Sequence, residues 1–235
     1  MKHYAGYIKF KNVSSKTVGL IMTAPPLITH SEEYDAPRTI PGRDGSAFDT
    51  DTYRGDAVIK CSFALAAAET ESDYETKIRA IYQWISGTGN LVISDSEDAH
   101  YEVSRAKIVT DSRVILNLGT IEVEFTCYPY KFLDSGDAGI TSFPITNSAM
   151  KCKPLYKITG SGSGTLTVNG RTMTYTVDGT LYIDTRRFIA YDDSNNNKNN
   201  AINGDYAGLY LKTGSNSISA TVGTLTVYPK WGYTV

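Results

Sequence analysis

Apolar and polar residues alternate with period two along much of this chain, and that alternation predicts strands. Ala57, Ile59, Cys61, Phe63 and Leu65 share one face of a segment whose other face carries Lys60 and Ser62. Ile121, Val123, Phe125 and Cys127 likewise oppose Glu122, Glu124 and Thr126. A strand of this kind buries one face and leaves the other wet, as antiparallel sheets do. Ile218, Ala220 and Val222, then Leu225 and Val227, continue the pattern toward the C-terminus. With its abundant Thr, Val, Ile and Tyr and its regular Gly and Asn-Gly punctuation, the chain reads as mostly β.

One segment departs from that period. Ser72, with Glu75 in the capping-box position, precedes Ile78, Ile81, Tyr82 and Ile85 at helical spacing, and Gly87 sits just beyond the end. This predicts a single amphipathic helix of about three turns packed on a sheet.

Thr165 to Val177 predicts a hairpin around Asn169-Gly170, the favoured two-residue type I′ turn. Leu166 is then opposite Met173, with Val168, Tyr175 and Val177 on the same face and Thr165, Thr167, Thr172, Thr174 and Thr176 on the other. A second turn is expected at Asp178-Gly179-Thr180, because a three-residue loop with a glycine bulge returns Leu181 and Ile183 to the apolar face. Gly160 to Gly164 reads as a flexible inter-strand turn, and the polar run Asp192 to Asn200 as an exposed, mobile loop.

The polar, glycine-rich stretch Asp134 to Gly139 is the best boundary. It divides the chain into residues 1–133, a β-sandwich-like domain carrying the helix, and residues 134–235, a second β-sandwich. The final ten or so residues either stay in the second domain or return to the first.

Twenty-three Lys and Arg against 25 Asp and Glu give a net charge of −2, which argues against sequence-specific nucleic acid binding or an anionic membrane as the main partner. No segment reaches the ~20 apolar residues of a membrane helix, and the first ten residues alternate rather than forming an apolar run of signal length. Cys61, Cys127 and Cys152 are widely spaced, odd in number and without metal-ligand spacing, so they read as small buried apolar side chains in a reducing compartment.

A search for chemistry yields little. His3, His30 and His100 form no recognisable ligand or triad spacing. The glycine-rich 160–164 run lacks the lysine and following helix of a phosphate loop. Asp184, Asp192, Asp193 and Asp205 do not follow a calcium-loop pattern and read as solvated loop charge. Arg54-Gly55-Asp56 is read as a chance tripeptide. No catalytic residue, cofactor site or metal site is assigned. Tyr191, Tyr206, Tyr210 and Trp231 are candidates for stacking beneath a sugar ring, against the alternative that they fill the core or its rim.

Three stretches resemble the distal tail protein family of siphophages. Arg38-Thr39-Ile40-Pro41-Gly42-Arg43-Asp44-Gly45-Ser46, followed by Asp49 and Tyr53, is similar to the family's R-x-x-x-G-R-D-G turn. Glu124 to Tyr130 is similar to the strand that ends its first domain. The order Asn169-Gly170, Leu181 to Thr185, Gly204-Asp205-Tyr206 and Leu211 to Ile218 is like its galectin-like second domain. The resemblance implies a non-enzymatic hub at the virion tail tip, made and folded in the bacterial host cytoplasm. It implies a homohexameric ring, one or two stacked, between the tail-tube protein and the tail-associated baseplate protein. The first domain would form the ring and the galectin-like domain would project from it. Arg38, Pro41, Gly42, Arg43, Asp44 and Gly45 are the candidate subunit-interface or turn residues. Arg43 offers a planar donor fork to a neighbouring subunit or to its own turn. The alternative function is a carbohydrate-binding β-sandwich for a host cell-wall saccharide.

Overall fold

The computed structural model describes residues 4–34, 38–39, 41–42, 44, 46–47, 53–65, 70–115 and 118–235. Contacts divide the chain into two compact units, residues 1–131 with 234–235, and residues 132–233.

The first unit opens with β1 (Ile8–Phe10), β2 (Val13–Ser14), β3 (Leu20–Met22) and β4 (Leu27–Thr29). An excursion follows, built of β5 (Glu33–Tyr34), β6 (Arg38–Thr39), β7 (Ser46–Ala47) and β8 (Tyr53–Arg54). The chain continues through β9 (Ala57–Leu65), α1 (Glu71–Ile85), β10 (Gly89–Ile93), β11 (Ser96–Ile115) and β12 (Leu118–Leu133). The main sheet runs β2-β1-β10-β11-β12-β9-β3, with β4 also on β9.

The predicted alternation is realised in β9 and β12. Their register sets Ile121 against Phe63, Val123 against Cys61, Phe125 against Ile59 and Cys127 against Ala57, and all eight side chains are buried. The opposite face carries the cross-strand pair Lys60–Glu124 (3.5 Å). Helix α1 lays Tyr74, Ile78, Ile81, Trp84 and Ile85 on the apolar face. Phe10 packs edge-on to both Trp84 and Phe125 (centroids 6.3 and 5.3 Å), and the Trp84 indole donates to the Phe10 carbonyl at 3.1 Å. Val235 closes the unit: its N–H donates to the Pro129 carbonyl (3.0 Å), and its carbonyl accepts from the N–H and hydroxyl of Ser31 (2.8 and 2.6 Å).

The helix starts earlier than its sequence suggested. The cap is Thr70, whose hydroxyl accepts the Asp73 N–H at 3.1 Å, and Ser72 lies inside the first turn. The earlier start brings Tyr74 into line with Ile78, Ile81 and Ile85, so packing selects Thr70 over the Ser72–Glu75 pair. Tyr82, expected on the apolar face, is 46% exposed, and Trp84 takes the buried position.

The second unit holds β13 (Ile145–Asn147), β14 (Leu155–Val168), β15 (Arg171–Asp184), β16 (Ile189–Tyr191) and β17 (Ile202–Asn203). β18 (Gly214–Asn216), β19 (Ile218–Ala220) and β20 (Thr224–Tyr228) follow, after which β21 (Gly232–Thr234) returns to the main sheet and pairs with β12. Its larger sheet runs β16-β15-β14-β19, with β17 on β15 and β20 on β14, and β13 pairs separately with β18. The Asn169-Gly170 turn is as predicted, with φ of 50° and 82°, Val168 paired with Arg171 and Leu166 with Met173. The chain is thus mostly β, with α1 its single α-helix among the described residues.

Two expected turns in this unit are absent. β14 and β15 pair without interruption from Val168↔Arg171 to Leu155↔Asp184, so neither Gly160–Gly164 nor Asp178-Gly179-Thr180 reverses the chain. Val177 and Leu181 are four residues apart, so an unbroken strand already keeps both on the apolar face. Gly179 instead takes φ +83° in mid-strand, opposite Gly160, where a Cβ would stand 2.8 Å from the Cα of Gly223. The glycines let a long hairpin kink and another chain segment approach closely. The Asp192–Asn200 segment is likewise more organised than expected. Asp192 Oδ1 accepts the N–H groups of Ser194 and Asn196 (2.9 and 3.0 Å), Lys198 donates to the Ala190 carbonyl (2.7 Å), and Asn199–Ala201 form a 3-10 turn. Asp134–Asp137 also form a 3-10 turn, with Gly136 buried.

Two outcomes are expected. Thr70→Ala lowers unfolding free energy by about 1 kcal/mol, whereas Ser72→Ala has a much smaller effect. Urea titration of the two variants checks this, and equal losses would restore Ser72 as the cap. The second concerns alkali. Burial pushes the thiols of Cys61, Cys127 and Cys152 from an ordinary 9.0 to about 12. A pKa raised in the folded state stabilises fully below the unfolded value and loses that contribution as pH climbs toward the folded one. Stability is therefore expected to fall between pH 9 and 12, less steeply in Cys152→Ala, as read by denaturant midpoints across that range.

Candidate functional site

The residues that suggested chemistry are mostly engaged in local structure. Asp184 accepts the N–H groups of Arg186 and Arg187 (both 3.0 Å), and Asp205 caps a short 3-10 turn through the Ala207 N–H (2.9 Å). Asp193 accepts the Tyr182 hydroxyl at 3.0 Å. The Asn196 side chain, its N–H and that of Ser194, with Lys198 beyond, hold the Asp192 carboxyl below the usual range. Among the described residues no group of three or more His, Cys, Asp and Glu could hold a metal ion. His30 is exposed, His100 is buried, and His3 lies outside the described residues. Arg54 pairs with Glu33 at 2.6 Å.

The four aromatic candidates are not gathered on one open face. Tyr191 stacks on Tyr182 (centroids 5.1 Å, planes 13° apart). Tyr206 meets Phe188 edge-on at 5.8 Å and donates its hydroxyl to Asn199 Oδ1 at 3.2 Å. Tyr210 has the ammonium groups of Lys151 and Lys153 over its ring at 5.2 and 5.5 Å. Trp231 packs against the second unit's core and donates its indole N–H to Ser135 Oγ (3.0 Å). Burial, then the like charges of Lys151 and Arg186, lower the pKa of Lys153.

The turn motif sits on the excursion between β4 and β9. There β5 pairs with β8 (Glu33↔Arg54, Tyr34↔Tyr53) and β6 with β7 (Arg38↔Ala47, Thr39↔Ser46), each as a two-stranded sheet separate from the main one. Pro41, Gly42 and Asp44 lie at its tip and all three are exposed, while Arg43 and Gly45 fall outside the described residues.

Sequence reasoning missed a groove in the first unit. It holds about 430 Å³ and is lined by Tyr82, Ile85 and Ser86 of α1 and by Ala106, Lys107, Ile108, Val109 and Asp111 of β11. The Tyr82 hydroxyl donates to Asp111 across it, and that hydrogen bond raises the tyrosine pKa. Lys107 donates to Glu124 at 2.5 Å, which, with Lys60 nearby, holds that carboxyl below its ordinary value. The signal available in the sequence is a change of parity in the apolar positions, from Tyr101 and Val103 to Ala106 and Ile108. A second groove, of about 540 Å³, is lined largely by the threonine face of β14 and β15 with Asn200–Asn203.

Comparison with known proteins gives two findings. A family described as the phage tail protein RIFT-related domain matches residues 8–127, half of the chain. The crystal structure of the Dit protein of phage SPP1, described as a paradigm of the hub adsorption apparatus in phages infecting Gram-positive bacteria, has a similar fold. The TM-score is 0.65 at 13% identity, covering 95% of this chain and 98% of that one. No curated protein matches the chain significantly.

Proposed function

Because the chain belongs to the phage tail protein family of the RIFT-related domain, we propose that it is the structural hub of a siphophage-type tail tip. In this reading it assembles as a homohexameric ring that links the tail tube to the tail-associated baseplate protein. Residues 1–133 form the ring, in a single layer or two stacked ones, and residues 134–235 form a galectin-like domain projecting from it. The protein performs no catalysis, works without a cofactor, and takes its place in the virion after folding in the host cytoplasm.

The observation that carries this reading is the extent of the family match. Residues 8–127 span β1 through most of β12, including the helix and the excursion. The hub adsorption apparatus named for the SPP1 protein supplies the role, and the similar fold over 95% of this chain supports carrying it across. A closed ring uses two different patches on each subunit. The exposed turn at Pro41-Gly42, on an excursion separate from the main sheet, suits one of them. We place Arg38, Arg43, Asp44 and Gly45 with it at that interface, Arg43 acting across the boundary. The saccharide-binding reading gains no comparable support, since Tyr191, Tyr206, Tyr210 and Trp231 are engaged in separate contacts within the protein.

Native mass spectrometry is expected to find a species of six times the 25.7 kDa protomer mass, or double that for stacked rings. A monomer at every concentration would overturn the ring. Arg43→Ala should abolish that species while leaving the urea midpoint within the usual small scatter of surface substitutions, roughly 0.5 kcal/mol. An intact ring with a weakened fold would make Arg43 a turn-stabilising residue instead.

A further inference from the structure

The second unit carries a cluster of cations that its own fold leaves uncompensated. An isolated bridge joins Cys152 to Leu211, the N–H of each donating to the carbonyl of the other (2.9 and 3.0 Å). Both side chains are buried, so the flanking positions turn to the opposite side. Those positions are Lys151 and Lys153 on one segment, Tyr210 and Lys212 on the other. The ammonium groups of Lys151 and Lys153 share the Tyr210 ring, 5.2 and 5.5 Å from its centroid. Antiparallel pairing sets Lys212 across from Lys151.

The platform beneath these side chains is firmly held. Fully buried Asn216 accepts the Lys212 N–H at 2.9 Å and donates to the Lys212 carbonyl at 2.8 Å. Leu209 and Leu211, on either side of Tyr210, are also fully buried.

Like charges facing each other across paired segments are destabilising. Elsewhere the fold answers a lysine with a carboxylate, as in Lys107–Glu124 (2.5 Å) and Lys230–Asp137 (2.7 Å). Among the described residues, Lys151, Lys153 and Lys212 have no such partner. Asp184 accepts the N–H groups of Arg186 and Arg187 and lies 3.9 Å from the Arg187 side chain, so its charge is directed to its own loop. Half-buried Lys153 is disfavoured as a cation first by burial, then by Lys151 and Arg186, and no acidic group offsets them. A bound anion would relieve both costs together.

The donors narrow the choice of anion. A lysine ammonium is a point charge with three donors, suited to the tetrahedral oxygens of a phosphate, whereas a planar carboxylate is matched better by the arginine fork. The Tyr210 ring already has cations over it, unlike the open aromatic platforms on which nucleic acid bases stack. We propose that Lys151, Lys153 and Lys212, ranged around Tyr210, form a binding site for phosphate groups, free or carried on an aliphatic polyol-phosphate chain. The ring holds two of the ammonium groups in place before the ligand arrives, which lowers the entropy lost on binding. The site lies wholly within the second unit and does not depend on the ring reading.

The test compares the full-length parent with two triple variants. One replaces the site lysines (Lys151→Gln, Lys153→Gln, Lys212→Gln). The other removes the same charge elsewhere (Lys9→Gln, Lys77→Gln, Lys198→Gln). Calorimetric titration with poly(glycerol phosphate) at low ionic strength is expected to show binding to the parent. The site variant should lose at least about tenfold in affinity, the scale of one lost charge-assisted contact. The control variant should stay within about twofold, as uncoupled surface charges do. The urea midpoint of the site variant is expected to equal or exceed the parent's, because only repulsion has been removed. Competition by inorganic phosphate would identify the single group as the unit bound, and polymer binding that it does not perturb would identify the chain as the source. Equal losses in the two variants would overturn the site in favour of unspecific charge. A lowered urea midpoint in the site variant would make the lysines structural and overturn it too. Tighter binding of poly-glutamate or of single-stranded oligothymidylate would overturn the phosphate assignment, and a parent that binds none of these probes would overturn the proposal outright.

Discussion

The register between β9 and β12 is the constraint on which the first unit depends. Four cross-strand pairs put eight apolar side chains on one face, and the polar face carries Lys60, Glu122 and Glu124. Side chains alternate with period two, so a slip of one residue would drive both carboxylates into the core. Each buried Phe or Ile contributes about 1.5–3 kcal/mol over exposure, so the native register is favoured strongly over its neighbour. Helix α1 then needs only an apolar stripe of its own to settle on the prepared face, and Trp84 fixes its position through the Phe10 carbonyl.

The same argument explains what was legible in the sequence. Alternation in β9 and β12 and the Asn169-Gly170 turn are local signals that tertiary structure reinforces, and they were read correctly. Ser72 was mistaken for the cap because capping-box chemistry is satisfied by sequence alone. The choice of Thr70 depends on Tyr74 finding a place in the core. Asp178-Gly179 failed for a different reason. A glycine at positive φ fits a turn or a kink equally well, and the partner that decides, Gly160 on the paired strand, is not visible from the dipeptide.

Candidate chemistry was the least legible part. Asp184, Asp192 and Asp205 look on paper like free carboxylates, but each accepts backbone N–H groups of its own loop. Asn and Asp close turns with the same oxygens that would bind a ligand, so composition cannot separate the two uses. The aromatic candidates divide likewise: Tyr182 and Tyr191 spend their faces on each other, and Tyr210 on two lysines.

What the sequence pattern does carry, once β11 is placed, is the change of parity after Val103. Up to that point β11 is an interior strand, flanked by β10 and β12. Beyond it the strand continues to Ile115 without β10, so the same backbone passes from sheet interior to sheet edge. Here Ala106 and Ile108 pack against the core that α1 covers, while Lys107 meets Glu124 on the other face. The strand thereby keeps contact with the core on one side while its edge remains accessible on the other.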